Sequence, residues 1–366
     1  MNSVQAAVFE APGQPLVRHQ FERPKLAAGE MLVDVSCCTL CGSDLHTYTG
    51  RRPAPTPTIL GHEISGRVAE LPDRDPPRDA SGRAFGIGDR VTWTIAVGCG
   101  ACFFCRAELP QKCERLFKYG HAALGDHPLS GGLATACHLA RGTHICRVPD
   151  ELSDEVAALA TCATATVAAA VRAAGSLRGA TVLIQGAGML GITACAMAAW
   201  QGAETVIASD IDADRVAAAG QFGATHTIDA AADSRDVNSP IAELTSGRGC
   251  DVVFEFSGSR RAITDGLASL RIGGTYIWAG AVLPVGAIEI DPEQVVRRMW
   301  TIRGVHNYAP RDLAAALEFL TATRDRYPFQ NLVGPRFSLD DADAAFQHAR
   351  SAGAWRVAVV PAGASR

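Results

Sequence analysis

The chain has no excess of positive charge. Its 34 Lys and Arg stand against 38 Asp and Glu, a net of −4, so general nucleic-acid binding has no electrostatic basis. It also has too little charge for disorder, since charged residues are 20% and apolar residues 48%. Met1 to Glu10 lacks the basic start and long apolar run of a signal peptide. The most apolar stretch, Val156 to Gly175, is mostly Ala and Thr and holds Arg172, which reads as too weak to span a bilayer. We expect a cytoplasmic protein without a membrane or nucleic-acid partner. With 366 residues, one core is not enough, and two domains are expected. Internal repeats and low-complexity segments are missing as well.

What is present in quantity is cysteine, twelve in all. A disulfide framework belongs to short secreted chains that cannot build a core, and this chain is long. Four of the cysteines, Cys99, Cys102, Cys105 and Cys113, follow C-x2-C-x2-C-x7-C. Such spacing is a metal-ligand pattern, and metal is expected over disulfides.

Texture divides the chain into three. Residues 1–152 are rich in Gly, Pro, Cys and His, with short alternating runs such as Met31–Val35 that read as strands. Leu71 to Gly88 reads as a surface loop. Residues 153–290 alternate apolar strands (Thr181–Gln185, Thr205–Ser209, Asp251–Phe256, Thr275–Ala279) with Ala-rich helices, the mark of a parallel βαβ sheet. An edge strand near Thr275–Gly280 would suit sheet-extending dimerisation. The tail, 291–366, adds helices near Asp312–Thr323 and Asp340–Ser351 and a strand at Trp355–Val360.

The first parallel strand runs into Gly186-Ala-Gly188-Met189-Leu190-Gly191, a G-x-G-x-x-G that opens a helix. Alone the pattern is weak among 36 glycines; after a buried strand it is what dinucleotide binding requires. Gly186 permits the tight turn, Gly188 the approach to pyrophosphate, and Gly191 close helix–strand packing. The next strand ends at Asp210, placed to bind both ribose hydroxyls and to repel a 2′-phosphate. NAD is expected over NADP, with Arg215 softening the preference.

In the first region, Cys41-Gly42-Ser43-Asp44-Leu-His46 is followed by Gly61-His62-Glu63. Thiolate and neutral imidazole are good zinc ligands, and a catalytic site needs three of them and an open position. Cys41 and His62 supply two; Cys162 is the best candidate for the third. Asp44 is placed to orient His62 from behind. Ser43 and His46 on the same segment suit a hydroxyl relay that carries the substrate proton outward.

These residues resemble those of the zinc-dependent alcohol dehydrogenases of the medium-chain dehydrogenase/reductase superfamily, over essentially the whole chain. The family's G-H-E-x-x-G-x-V stands as Gly61-His62-Glu63-Ile-Ser-Gly66-Arg-Val68. The resemblance implies an α/β protein: a GroES-like, mostly-β catalytic domain (1–152, zinc lobe 99–113, with return of the chain at 291–366) and a Rossmann-type doubly wound domain (153–290). It implies two Zn2+ per chain, one held by Cys41, His62 and Cys162 with Glu63 as a transient fourth ligand, the other by the four lobe cysteines. It further implies Ser43 at the substrate hydroxyl, His46 on the proton path, Arg356 at the cofactor pyrophosphate, and a homodimer or homotetramer. Gly42 departs from members that carry a basic residue after the first zinc cysteine, which leaves backbone dipoles and Arg356 to meet the pyrophosphate charge.

For the substrate, Tyr48, Arg51, Arg52, Trp93, Ile95, Lys118 and His121 are expected near the cleft rim, where basic groups suit an anionic alcohol. The phrases Lys112–His121 and Leu332–Phe337 resemble a bacterial subgroup proposed to act in phosphonate catabolism. A neutral secondary, cyclic or polyol alcohol is the other substrate reading. A catalytically silent zinc-binding or interaction protein is the reading from another class, and intact Cys41, His62, Glu63 and Cys162 speak against it.

Overall fold

The computed structural model describes residues 3–125, 127–231, 237–351 and 354–361. The chain forms two compact units, one of residues 1–162, 309–324 and 329–366 and another of 163–308 and 325–328.

In the first unit, the central strand is Met31–Thr39, nearly all buried. Glu63–Glu70 pairs with it antiparallel, and Thr39 stands opposite Glu63. The late strand Arg356–Val360 pairs with its end as well, Ala358 opposite Thr39. Both neighbours therefore begin beside the point where the central strand leads into Cys41. Arg90–Trp93, Ile145–Arg147 and Val333–Ser338 complete the ladder, while Ala136–Leu139 pairs with the start of the central strand. The core beneath is mostly aliphatic, with Leu32, Val33, Ile59 and Leu60 among the sealed residues and Phe9, Trp93 and Tyr119 among its aromatics. Residues 71–88 carry no strand or helix beyond one isolated bridge, Arg78 to Ala84, as the proline-rich sequence predicts.

The second unit holds six parallel strands in the order His226–Asp229, Thr205–Asp210, Thr181–Gln185, Cys250–Glu255, Leu270–Trp278, Thr301–Gly304. By position in the chain this is 3-2-1-4-5-6, the dinucleotide-binding order, with its reversal beside Thr181–Gln185. Two expectations are corrected here. Thr275–Gly280 is not an edge, because Thr301–Gly304 covers Leu270–Trp278. That sixth strand also carries the second unit past residue 290 to Tyr308.

The helical run Asp154–Ala174 is long and apolar enough to cross a membrane by length and composition, contrary to the sequence reading, but most of it is buried within protein.

Candidate active site and its cofactor sites

Cys41, His62 and Cys162 come from three distant segments, yet their ligand atoms lie within 4.8 Å of one another. Local structure explains each placement. Cys41 is the N-cap of the short helix Gly42–Tyr48, whose first turn carries Asp44. Asp44 Oδ2 accepts from the Cys41 N–H at 2.9 Å, half of a capping box. Its Oδ1 accepts from the Gly61 N–H at 3.2 Å and faces His62 Nδ1 at 3.1 Å. One buried carboxylate thus fixes both ligand segments and the imidazole tautomer. Cys162 sits in a π-helical turn, Ala160–Thr164, a distortion that re-aims a side chain within a helix. Its neighbour Thr161 donates from Oγ1 to the His62 carbonyl at 3.2 Å.

Charge follows this geometry. A hydrogen bond from Cys162 and the Arg356 guanidinium pull the Cys41 thiol well below its usual range, although burial opposes them. Cys162, as the donor to Cys41 and buried, is pushed well up. For His62, burial works downward, but Asp44 outweighs it and lifts the imidazole to about 10. The donor set of two sulfurs and one carboxylate-backed imidazole fits zinc with an open fourth position. Ser43 Oγ lies 3.3 Å from His62 Nε2.

Glu63 and Arg356 are held by each other. Arg356 is buried and grips Glu63 with two hydrogen bonds, Nε to Oε2 at 2.7 Å and Nη2 to Oε1 at 2.8 Å. Nη2 also lies 3.6 Å from Cys41 Sγ, and Nη1 donates to the Trp355 carbonyl. Thr39 Oγ1 completes the carboxylate's partners at 2.6 Å. A guanidinium so committed places its positive charge beside the Cys41 sulfur. Glu63 Oε1 and Oε2 are both engaged, so in this state the carboxylate is not offered as a fourth ligand. Register explains the pairing, since Glu63 and Arg356 each start a strand flanking Thr39.

Of the expected rim residues, three are core. Trp93 and Ile95 are buried, and the Tyr48 hydroxyl donates to Asp343 at 2.7 Å while its ring stacks on Phe346 at 4.3 Å. Arg52, Lys118 and His121 lie near the ligand cluster, and Arg51 lies near His46. Burial, and next the charge of Arg52, lower the Lys118 ammonium, which also feels Cys162 and Cys41. The His121 ring packs on His62 at 4.9 Å, and its Nε2 is buried without a hydrogen-bond partner. No ion pair holds Arg51, Arg52 or Lys118 among the described residues. Burial and then Arg51 lower His46, which is half-buried on the outer end of its helix.

The lobe cysteines Cys99, Cys102, Cys105 and Cys113 also bring their sulfurs within 4.8 Å of one another. Main-chain N–H groups point at them: those of Cys99 and Arg115 reach Cys113 Sγ at 3.1 and 3.3 Å. Backbone donors at Ala101 and Cys102 draw Cys99 down to about 6.

In the second unit, a cavity of about 260 Å³ opens at the reversal of strand order, lined by Gly186, Gly188, Asp210 and Arg215. Gly186 adopts φ +88, and a Cβ there would meet Ser257 N at 2.7 Å. A Cβ on Gly191 would strike the Gly186 carbonyl, the helix–strand closeness the third glycine permits. Met189 and Leu190 lie between them in the first turn of the helix Met189–Trp200. Asp210 Oδ2 accepts from Ala187 N–H at 2.6 Å, which joins the carboxylate to the glycine loop. Arg215 lies near Gly188 and pairs loosely with Asp212 at 3.6 Å. Arg261, also on the cavity wall, was missed. Its position after the Cys250–Glu255 strand, at the carboxyl end where ligands bind, was the available signal.

Comparison with known proteins agrees with this arrangement. The alcohol dehydrogenase GroES-like domain matches residues 27–150, and the zinc-binding dehydrogenase family matches 190–322. The chain is 32% identical to a 5-exo-hydroxycamphor dehydrogenase of Pseudomonas putida, over 88% of this chain and 89% of that protein. It is 31% identical to a sorbitol dehydrogenase of Bacillus subtilis, over 89% and 88%. An alcohol dehydrogenase structure from Thermotoga maritima superposes with TM-score 0.92 at 30% identity, covering 98% of this chain and 99% of that one. A zinc-binding dehydrogenase from Sinorhizobium meliloti, solved with NADP, gives 0.85 at 28%, covering 99% and 100%. With these sulfur and imidazole clusters and this strand order, the chain belongs to the zinc-dependent alcohol dehydrogenase family of the medium-chain dehydrogenase/reductase superfamily.

Proposed function

We propose that this chain oxidises an alcohol bearing an anionic group, a hydroxyalkyl phosphonate in the first instance, with NAD as acceptor and two zinc ions per chain. The observation that carries the chemistry is the cluster of Cys41, His62 and Cys162, with Asp44 behind it. Zinc held there supplies Lewis acidity that brings the alcohol pKa towards neutrality. NAD supplies the hydride acceptor.

The chain's own residues do the rest. Ser43 Oγ, 3.3 Å from His62 Nε2, is placed to take the substrate hydroxyl proton. His46, in the last turn of the same helix, would receive it through the cofactor ribose, and its lowered pKa keeps the imidazole neutral and able to accept near pH 7. Asp44 holds His62 in one tautomer, and Arg356, fixed by Glu63, offsets part of the negative charge of the Cys41 thiolate beside it. At the cofactor, Asp210 accepts from the ribose hydroxyls and disfavours a 2′-phosphate.

The anionic group is supported by Arg52 and Lys118. A cation as buried as Lys118 without a carboxylate partner is costly, and an anionic substrate offsets that cost. The relatives that act on hydroxycamphor and sorbitol support the neutral-alcohol reading instead. Steady-state kinetics decides between them. A hydroxyalkyl phosphonate should exceed its neutral analogue of equal carbon number in kcat/KM, and equal values would remove the anionic reading. The same proposal includes a homodimer or homotetramer, with Thr301–Gly304 as a sheet edge open to a second copy. Light scattering checks it.

A further inference from the structure

The two cysteine-bearing clusters and the glycine loop make no use of Glu30, His127 and His138. Yet one donor atom from each of the three lies within 4.8 Å of the others. Glu30 immediately precedes Met31–Thr39, and His138 stands opposite Leu32 in the adjoining strand Ala136–Leu139. The His138 N–H donates to the Leu129 carbonyl at 2.8 Å, which ties in the segment carrying His127. Main-chain hydrogen bonds therefore fix all three segments.

The side chains are held in turn. Glu30 Oε2 accepts from the Ala27 N–H at 2.8 Å and lies 3.0 Å from His138 Nε2. His127 Nε2 is 2.9 Å from the His138 carbonyl oxygen. A carbonyl only accepts, so His127 carries its hydrogen on Nε2 and keeps its lone pair on Nδ1. The two imidazoles stack at 3.9 Å with 18° between planes, and Phe117 stands edge-on to His127 at 5.2 Å. Rings this close repel when both are protonated, and Glu30 is the one carboxylate hydrogen-bonded to the pair among the described residues. At least one imidazole is thereby kept neutral with a lone pair to give. Burial of His138, together with the nearby His127, favours its neutral form too.

We infer that Glu30, His127 and His138 form a further divalent-metal site, which takes zinc with water completing its coordination. Two imidazoles and one carboxylate are an established zinc donor set, and nitrogen donors select against calcium and magnesium. The ion takes the place of the hydrogen between His138 Nε2 and Glu30 Oε2, and neutral His138 then carries its hydrogen on Nδ1. The Ala27 and His138 backbone groups orient the ligands from behind. Glu30 and His127 are half-buried, which leaves the ion a way in. The bound ion would staple the start of the central strand to the segment around residue 127.

Cobalt(II) titration of the metal-depleted full-length protein tests this. Thiolate sites give intense sulfur-to-metal charge-transfer absorption, and a nitrogen–oxygen site does not. After that absorption saturates, one further equivalent should bind, measured by elemental analysis after gel filtration. His127→Gln should lose that equivalent with the thiolate absorption unchanged. Zinc added beyond the thiolate equivalents should raise the melting temperature of wild type but not of the variant. Glu30→Gln is the second variant should His127→Gln fold poorly. Binding that stops at the thiolate equivalents, or a further equivalent retained in both variants, would overturn the site.

Discussion

The two cysteine-bearing clusters achieve the same closeness of donors by opposite means. The lobe takes all four sulfurs from one short loop, whose own backbone N–H groups point at them. Its surroundings are open, with Phe103 67% exposed. The Cys41–His62–Cys162 cluster takes its donors from segments far apart, and His62 is 2% exposed. There a strand end, a helix cap and a π-helical turn do the positioning. A local site depends on its metal to hold the loop, whereas a dispersed site is held by the fold and can lose its metal with the fold intact.

The largest expected effect tests that contrast directly. Cys41→Ser should lower kcat/KM by about 10³-fold or more and remove one zinc, since Lewis-acid stabilisation amounts to several kcal/mol. Melting should change little, and retained turnover would break the assignment. In the lobe the effects should be reversed. Cys113→Ser should release the other zinc and lower the melting temperature by roughly 5 °C or more, with turnover per folded molecule preserved. Elemental analysis beside calorimetry on the two variants measures both.

A smaller effect is expected in the second unit. Asp210→Ser should move the NAD/NADP ratio of kcat/KM by about 10²-fold towards NADP, since a like charge no longer faces the 2′-phosphate. Adding Arg215→Ala should take most of that gain away. Zinc content should remain as in wild type.

The smallest concerns His46. Burial and Arg51 hold its pKa below the ordinary histidine value, so the neutral base persists to lower pH than usual. Alcohol oxidation should decline as pH falls through that lowered value, and His46→Gln should remove this limb and cost about 10-fold near neutrality. The sign is the same for stability. A folded pKa below the unfolded one means that stability is fully present above the unfolded value and is lost as pH falls through the folded one.

The contrast also explains what the sequence could tell. The lobe and the glycine motif are local spacings, so Cys99 to Cys113 and Gly186 to Gly191 were legible at once. Cys162 was harder, because nothing beside it in sequence marks it and only the π-helical turn aims it. The pairing of Arg356 with Glu63 was not legible, because strand register across 293 positions sets it. Tyr48, Trp93 and Ile95 flank site segments in sequence but alternate into the core. The edge strands His226–Asp229 and Thr301–Gly304 escaped notice because half or more of each is exposed and both lack the apolar run of a buried parallel strand.

The strand that begins with Arg356 lies next to one that begins at Met31, and this sets a timetable for synthesis. By residue 162 the ribosome has made every donor of the Cys41 cluster, yet the guanidinium beside them is still untranslated. At about 5–20 residues per second it follows some 10–40 s later, time enough for residues 163–308 to fold as they emerge. Until then Glu63 lacks its Arg356 partner, and one flank of the central strand is unpaired at its end. The nascent first unit is therefore a half-closed sheet with reactive sulfur at its opening, a state to which chaperones, free metal and oxidants all have access. A ribosome stalled between residues 308 and 356 would hold it there.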